Sequence, residues 1–139
     1  MCGRIANQVS EQERRFLSER EPFLSEYWSP TWMRYRSYDV RPTTKVPILM
    51  PMLESHGSAQ VQAVRWGWRP SWMKGPLINA RWETALEKST FRQAVRERRC
   101  VVPAVAYYEW RRDAKDKPQA KYAFVSAHGQ TLLLAGLQP

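Results

Sequence analysis

The sequence predicts an α+β fold in which β-structure dominates. Three observations carry that prediction. Several short runs are β-branched or alternate with a period of two. Helix-start signals are few, and the segments they open are short. Turn residues break the chain often, at His56-Gly57-Ser58, through residues 67–80 and at His128-Gly129. A length of 139 residues points to one domain, and a hydrophobic fraction of 43% supplies a core. That composition excludes an intrinsically disordered chain, which would be poor in apolar and aromatic residues.

The elements follow in order. Ser10 with Glu13 forms a capping box that opens a helix to about Arg20, with Phe16 and Leu17 on its buried side. Residues 21–45, rich in Pro, Ser and Tyr, read as irregular. A strand begins near Val46 and closes over Met50–Glu54, followed by the turn at His56. Residues 61–66 alternate as a second strand. Gly67, Pro70, Gly75 and Pro76 punctuate a long loop to residue 80. Thr90 and Gln93 form a second capping-box candidate, with Phe91, Ala94 and Val95 on one helical face. Cys100–Trp110 is strand-like, and Pro103 marks an edge or bulge. Arg111–Gln119 is a charged loop. Tyr122–Ala127 and Gln130–Leu134 form a hairpin about His128-Gly129. Thr131–Ala135 reads as a core strand, yet the sequence stops at Pro139, so a fragment or shortened variant is expected.

Charge is the first functional signal. Lys and Arg total 22 against 13 acidic residues, giving +9, and arginine supplies 16 of the 22. Guanidinium forks match phosphate geometry and stack on flat rings. Seven Trp and six Tyr accompany them. Cations for phosphates and π-faces for unpaired bases are what single-stranded nucleic acid binding requires. An inert basic surface over an aromatic core is the reading that composition leaves equally open. No apolar run approaches the ~18–20 residues of a membrane span. No signal-peptide core follows Met1-Cys2-Gly3-Arg4. A soluble, intracellular protein is expected, cytoplasmic and nucleoid-associated if bacterial. Cys2 and Cys100 are too few for a disulfide framework and are expected to be thiols.

Several residues carry candidate chemistry. Removal of Met1 would leave Cys2 with a free α-amine and a thiol on adjacent carbons. Such an aminothiol reacts with an aldehyde to a Schiff base, which the thiol closes to a thiazolidine. An ordinary small N-terminal residue is the plainer reading. Glu109, in Tyr107-Tyr108-Glu109-Trp110, is either a desolvated acid/base or a solvated strand carboxylate. Asn79 is either a turn residue or a group that holds a reacting partner, and Arg81 beside it suits a phosphate. Trp66-Gly67-Trp68-Arg69-Pro70-Ser71-Trp72 places three indoles in seven residues, as stacking platforms or as core. There is no glycine-rich phosphate loop. No pair among Cys2, Cys100, His56 and His128 has metal-ligand spacing, so no metal is expected. Cys100, on an apolar strand, is expected to be a buried structural thiol.

Taken together, these blocks resemble the SRAP (SOS response-associated peptidase) family. The resemblance rests on Met1-Cys2-Gly3-Arg4, Trp66-Gly67 with Pro70 and Trp72, and Asn79-Ala80-Arg81 with Glu83-Thr84. It continues through Arg99-Cys100-Val101-Val102-Pro103-Ala104 into Tyr108-Glu109-Trp110, and covers residue 1 to about Leu137. Tyr38 and Pro42 fit the family's Tyr-Asn-x-x-Pro region, with Asp39 where Asn is usual. The resemblance implies a curved, barrel-like sheet in a single, partial domain lacking the family's C-terminal elements. It also implies a sensor of abasic sites in single-stranded DNA that crosslinks itself to them. Cys2, freed of Met1 by self-processing, would be the nucleophile, Asn79 its holder and Glu109 the acid/base. Arg4 and Arg81 would grip phosphates, while Trp66, Trp68, Trp72 and Pro42 line the DNA groove. No cofactor is implied.

Three departures stand out. The family's His-x-Arg-Met-Pro stretch has no counterpart in these 139 residues. Its Ala-Asp-Gly is replaced by Ala104-Val105-Ala106, and its Gly-Leu-Trp by Gly136-Leu137-Gln138. Two functions are therefore expected as alternatives. One is an enzyme-like, self-processing crosslinker with peptidase and lyase-like chemistry. The other is a non-covalent module that holds single-stranded DNA. A protease acting on other proteins finds no Ser-His-Asp or Cys-His arrangement to support it.

Overall fold

The computed structural model describes residues 2–20, 22, 28–51 and 59–138. Two antiparallel sheets and four short helices make up these residues. The order along the chain is β1 (Ile5–Ala6), α1 (Glu11–Arg20), α2 (Pro30–Tyr35), β2 (Lys45–Pro51), β3 (Ala59–Arg65), α3 (Trp82–Ala85), α4 (Ser89–Glu97), β4 (Arg99–Ala104), β5 (Ala106–Arg112), β6 (Pro118–Phe124) and β7 (Leu132–Leu137). One sheet has the order β1-β5-β6 and the other β3-β2-β4-β7. The β-dominant prediction holds, and among the described residues the two sheets do not close into a barrel. No described helix is long and apolar enough to cross a membrane.

The apolar run Val46–Leu49 is explained by its place in the fold. It lies in an interior strand, and alternate residues point to opposite faces. Val46 and Ile48 enter a cluster with Ile5, Val40, Cys100 and Ala104. Leu49 points the other way, into a cluster with Val9, Trp32 and Ala59. The first cluster draws on both sheets and carries Cys2 at its edge. The second packs under the helical segments of the N-terminal third, where Trp28 meets Trp32 edge-on with centroids 5.0 Å apart.

The chain passes from one sheet to the other at Val105, whose N–H donates to Ala6 O at 2.8 Å. This is where the sequence lacks the family's Asp-Gly. Among described non-glycine residues only Thr43 and Asp116 have positive φ. The crossing therefore uses ordinary backbone, which a valine adopts without strain.

Local expectations fared unevenly. The Ser10 cap is present: its Oγ accepts the Glu13 N–H at 3.2 Å. Phe16, expected on the buried side, is 46% exposed beneath the Arg20 guanidinium. Helix α2 lies within the stretch 21–45 expected to be irregular, and Pro30 occupies its first turn, where a proline is well accommodated. The capping role assigned to Thr90 fails: the helix cap is Lys88, with no side-chain hydrogen bond, and Thr90 lies inside the helix. Pro103 is not on an edge strand, since β4 runs between β2 and β7. Leu49↔Val101 is the sole register pair joining β2 to β4, so Pro103 has no β2 partner opposite it. The charged stretch 111–119 is mostly the tip of the β5–β6 hairpin, not a long loop. The predicted hairpin about His128-Gly129 is wrong: β6 pairs with β5 and β7 with β4. The turn itself exists, with Gly129 at φ +67°. The turn at His56 and the end of the strand at Glu54 lie outside the described residues.

Candidate active site

Cys2 sits half-buried at the edge of the first core cluster. Its Sγ donates to Arg4 O at 3.4 Å, a bond that folds the thiol back on its own strand. β1 runs antiparallel to β5 with Ile5 opposite Tyr107, and the Tyr108 N–H donates to Arg4 O at 2.9 Å. N-terminal to β1 the chain brings Cys2 near enough to Glu109 for the carboxylate to act on its thiol.

Asn79 arrives from a different part of the chain. Beyond β3, Trp66 Nε1 donates to Ile78 O at 3.0 Å. Trp68 and Leu77 exchange both backbone hydrogen bonds, at 2.9 and 2.7 Å. The intervening loop is thus a closed finger. Gly67 has φ +105°, and a Cβ there would lie 3.1 Å from Pro76 Cβ, so the finger's base requires glycine. Two residues past Leu77, Asn79 Nδ2 donates to Cys2 O at 2.7 Å, a bond spanning 77 positions.

Burial is the main cause raising the Cys2 thiol pKa, and the Glu109 carboxylate adds to it. Hydrogen bonds involving the Arg4 and Tyr108 backbone act in the opposite direction. Cys2, Asn79 and Glu109 are therefore brought together: one hydrogen bond and one electrostatic contact converge on Cys2.

The other predicted residues divide into groups. Arg4 lies over the Trp110 ring at 5.0 Å and pairs with Asp39 at 3.1 Å. Alternation along β5 puts Tyr108 and Trp110 on one face and Tyr107 and Glu109 on the other. Arg4 thus shares the face opposite Glu109. Pro42 is half-buried beside Arg41. Trp66 packs against the core cluster and is a structural indole as well as a site candidate. Trp68 and Trp72 face α4 across a groove of about 400 Å³ lined also by Ser89, Thr90, Gln93, Ala94 and Arg98. Trp72 is 66% exposed. Arg81 is exposed just before α3.

Sequence reasoning missed the polar surroundings of Arg4. Asp39 bonds Arg41 as well, and Lys121 stands over Tyr108 at 4.0 Å. The available signal was alternation: residues 39 and 41 share a face in an extended strip beside β1. It missed Asn7 too, fully buried, whose Oδ1 accepts the Ser37 N–H at 2.6 Å and so pins that strip to β1.

Comparison with known proteins bears on this arrangement. The model for SOS response associated peptidase (SRAP) matches residues 1–139. The abasic site processing protein YoqW of Bacillus subtilis is 33% identical over 123 residues, covering 84% of this chain and 51% of that protein. The abasic site processing protein YedK of Escherichia coli is 30% identical over 138 residues, covering 99% and 59%. The chain thus spans about half the length of the curated relatives it matches. Among solved structures, a phage-related protein from Bordetella bronchiseptica superposes with TM-score 0.68 at 23% identity, covering 98% of this chain and 60% of that one. A protein from Bacteroides thetaiotaomicron gives 0.65 at 24%, covering 98% and 59%. These two likenesses establish the fold.

Proposed function

The chain belongs to the SOS response-associated peptidase family, and from that premise we propose that it captures abasic sites in single-stranded DNA through Cys2. Relatives named for abasic-site processing supply the substrate class. The net charge of +9 and the exposed Trp72 favour an unpaired strand.

The chemistry begins with hydrolysis of the Met1–Cys2 peptide bond by the chain itself, which frees the Cys2 α-amine. An α-amine titrates at ~7.7–8.0, so roughly a tenth to a sixth is neutral and nucleophilic at pH 7, far more than of a lysine amine. It attacks the aldehyde carbon of the ring-opened deoxyribose, and the carbinolamine loses water to give an imine. The Cys2 sulfur then adds to the imine carbon, and its proton passes to the nitrogen of the new thiazolidine. One water leaves overall. Glu109 is the base that relays the proton. Asn79 fixes the Cys2 carbonyl, and with it the direction of amine and thiol. Arg4 and Arg81 hold flanking phosphates. Trp66, Trp68, Trp72 and Pro42 line the groove that takes the bound strand.

The observation that carries this reading is the Asn79–Cys2 hydrogen bond, because it commits a distant loop to orienting Cys2. Incubation with a single strand containing one abasic site tests it. A heat-stable species on a denaturing gel is expected, and Cys2→Ala should abolish it. Salt-sensitive binding with no covalent species would favour a purely non-covalent DNA-binding module instead.

A further inference from the structure

Ile5 and Val40 exchange backbone hydrogen bonds at 3.1 and 2.8 Å, and both side chains are buried in one cluster. Alternation then turns their neighbours Arg4, Asp39 and Arg41 to the opposite, outward face. The same face of β5 carries Tyr108 and Trp110, and β6 places Lys121 directly opposite Trp110.

The result is an ordered cluster of three cations around one carboxylate. Arg41 Nε and Nη2 reach Asp39 Oδ2 at 2.9 and 2.5 Å. Arg4 Nε reaches Asp39 Oδ1 at 3.1 Å. Lys121 lies 4.0 Å above the Tyr108 ring and 5.8 Å from that of Trp110, while Arg4 lies 5.0 Å over Trp110. The aromatic faces hold the cations in place, and both carboxylate oxygens are engaged. The Asp39 carboxyl is lowered from its ordinary range, first by the Arg41 hydrogen bond and then by the charges of Arg4, Arg41 and Lys121. Two oxygens bridging two guanidinium groups imitate how a phosphodiester would sit there.

We propose that Arg4, Arg41 and Lys121 form a backbone-phosphate site on the outer face of the three-stranded sheet, with Asp39 as its resident anion, displaced from the arginines when a strand binds. This rests on the DNA-binding reading above and adds Arg41, Lys121 and Asp39 to it. The carboxylate occupies and neutralises cations that a phosphate would otherwise use. It thereby lowers general affinity for nucleic acid and subtracts one contact from the salt dependence.

Binding of labelled oligothymidylate, titrated across a range of salt, tests the site. Asp39→Asn keeps the shape and removes the charge. It should tighten binding several-fold at low salt and steepen the log–log salt slope by about one. Lys121→Gln and Arg41→Gln should each flatten the slope by about one. An unchanged or weakened affinity in a normally melting Asp39→Asn chain would overturn the proposal, since Asp39 would then only clasp the arginines. Should Asp39→Asn melt early, Lys121→Gln decides, and an unaltered slope there overturns it. Crosslinking to an abasic strand is followed in parallel. Slope changes without any crosslink would sink the Cys2 reading alone; crosslinks without slope changes would sink this proposal alone.

Discussion

At the Cys2 thiol, burial and the Glu109 carboxylate act in one direction, against ionisation. Replacing Glu109 by Gln removes one of them, so the thiolate fraction should rise. Iodoacetamide labelling of the Cys2 peptide near pH 8, followed by mass spectrometry, is expected to run faster in Glu109→Gln than in wild type. Equal or slower labelling would mean that the two groups are not neighbours. Asn79→Ala leaves the Cys2 carbonyl without its side-chain donor. Crosslinking should slow by about tenfold or more through lost orientation, measured as single-turnover rates at saturating strand. At this scale the sequence was partly legible. Cys2, Asn79 and Glu109 are unremarkable residue types one by one, and only the spaced blocks around them singled them out. The Asp39–Arg4 pair was not legible, because it depends on an extended strip lying beside β1.

Strand β4 and its neighbour β7 offer a sharper test of packing. Cys100 is buried, and burial pushes its thiol up to about 11 from an ordinary 9.0. The unfolded chain therefore loses this proton first as pH rises. Stability from the buried neutral thiol is complete below pH 9 and falls away between 9 and 11, by about 2–3 kcal/mol in total. Denaturation midpoints across that range should decline less steeply in Cys100→Ala than in wild type; parallel declines would contradict the assignment. Gly136 stands opposite Cys100 in the register, and a Cβ built on it would lie 2.6 Å from the Sγ. Gly136→Ala should cost about 1–3 kcal/mol by overpacking. Cys100→Ala in the same chain should recover much of that loss, a coupling that a double-mutant cycle reads directly. Element by element, legibility followed locality. The α1 cap, the β2 run and the β3 alternation are written in neighbouring residues. The partners of β6 and β7 are not: a turn at His128-Gly129 specifies a reversal without saying that the strands enter different sheets.

Over the whole molecule, the two sheets meet along Ile5, Val40 and Ala104, and Cys2 packs at that seam. Chain crossing at Val105 and the Asn7–Ser37 hydrogen bond tie the seam together, while Asn79 reaches it from the finger between β3 and α3. The β-dominant class was legible in the frequency of short strands and turns. Closure into a barrel was not a property these strands could specify locally, and the two sheets remain separate. The central claim concerns the chemistry at that seam, and it has a direct measurement. Wild-type chain is incubated with a single strand bearing one abasic site, without borohydride, then digested with protease and nuclease and analysed by mass spectrometry. The account predicts that the adduct resides on the peptide beginning at Cys2. Its mass should equal that peptide plus the sugar-phosphate remnant less one water. An adduct found on a lysine, or one recovered only after borohydride trapping, would contradict it.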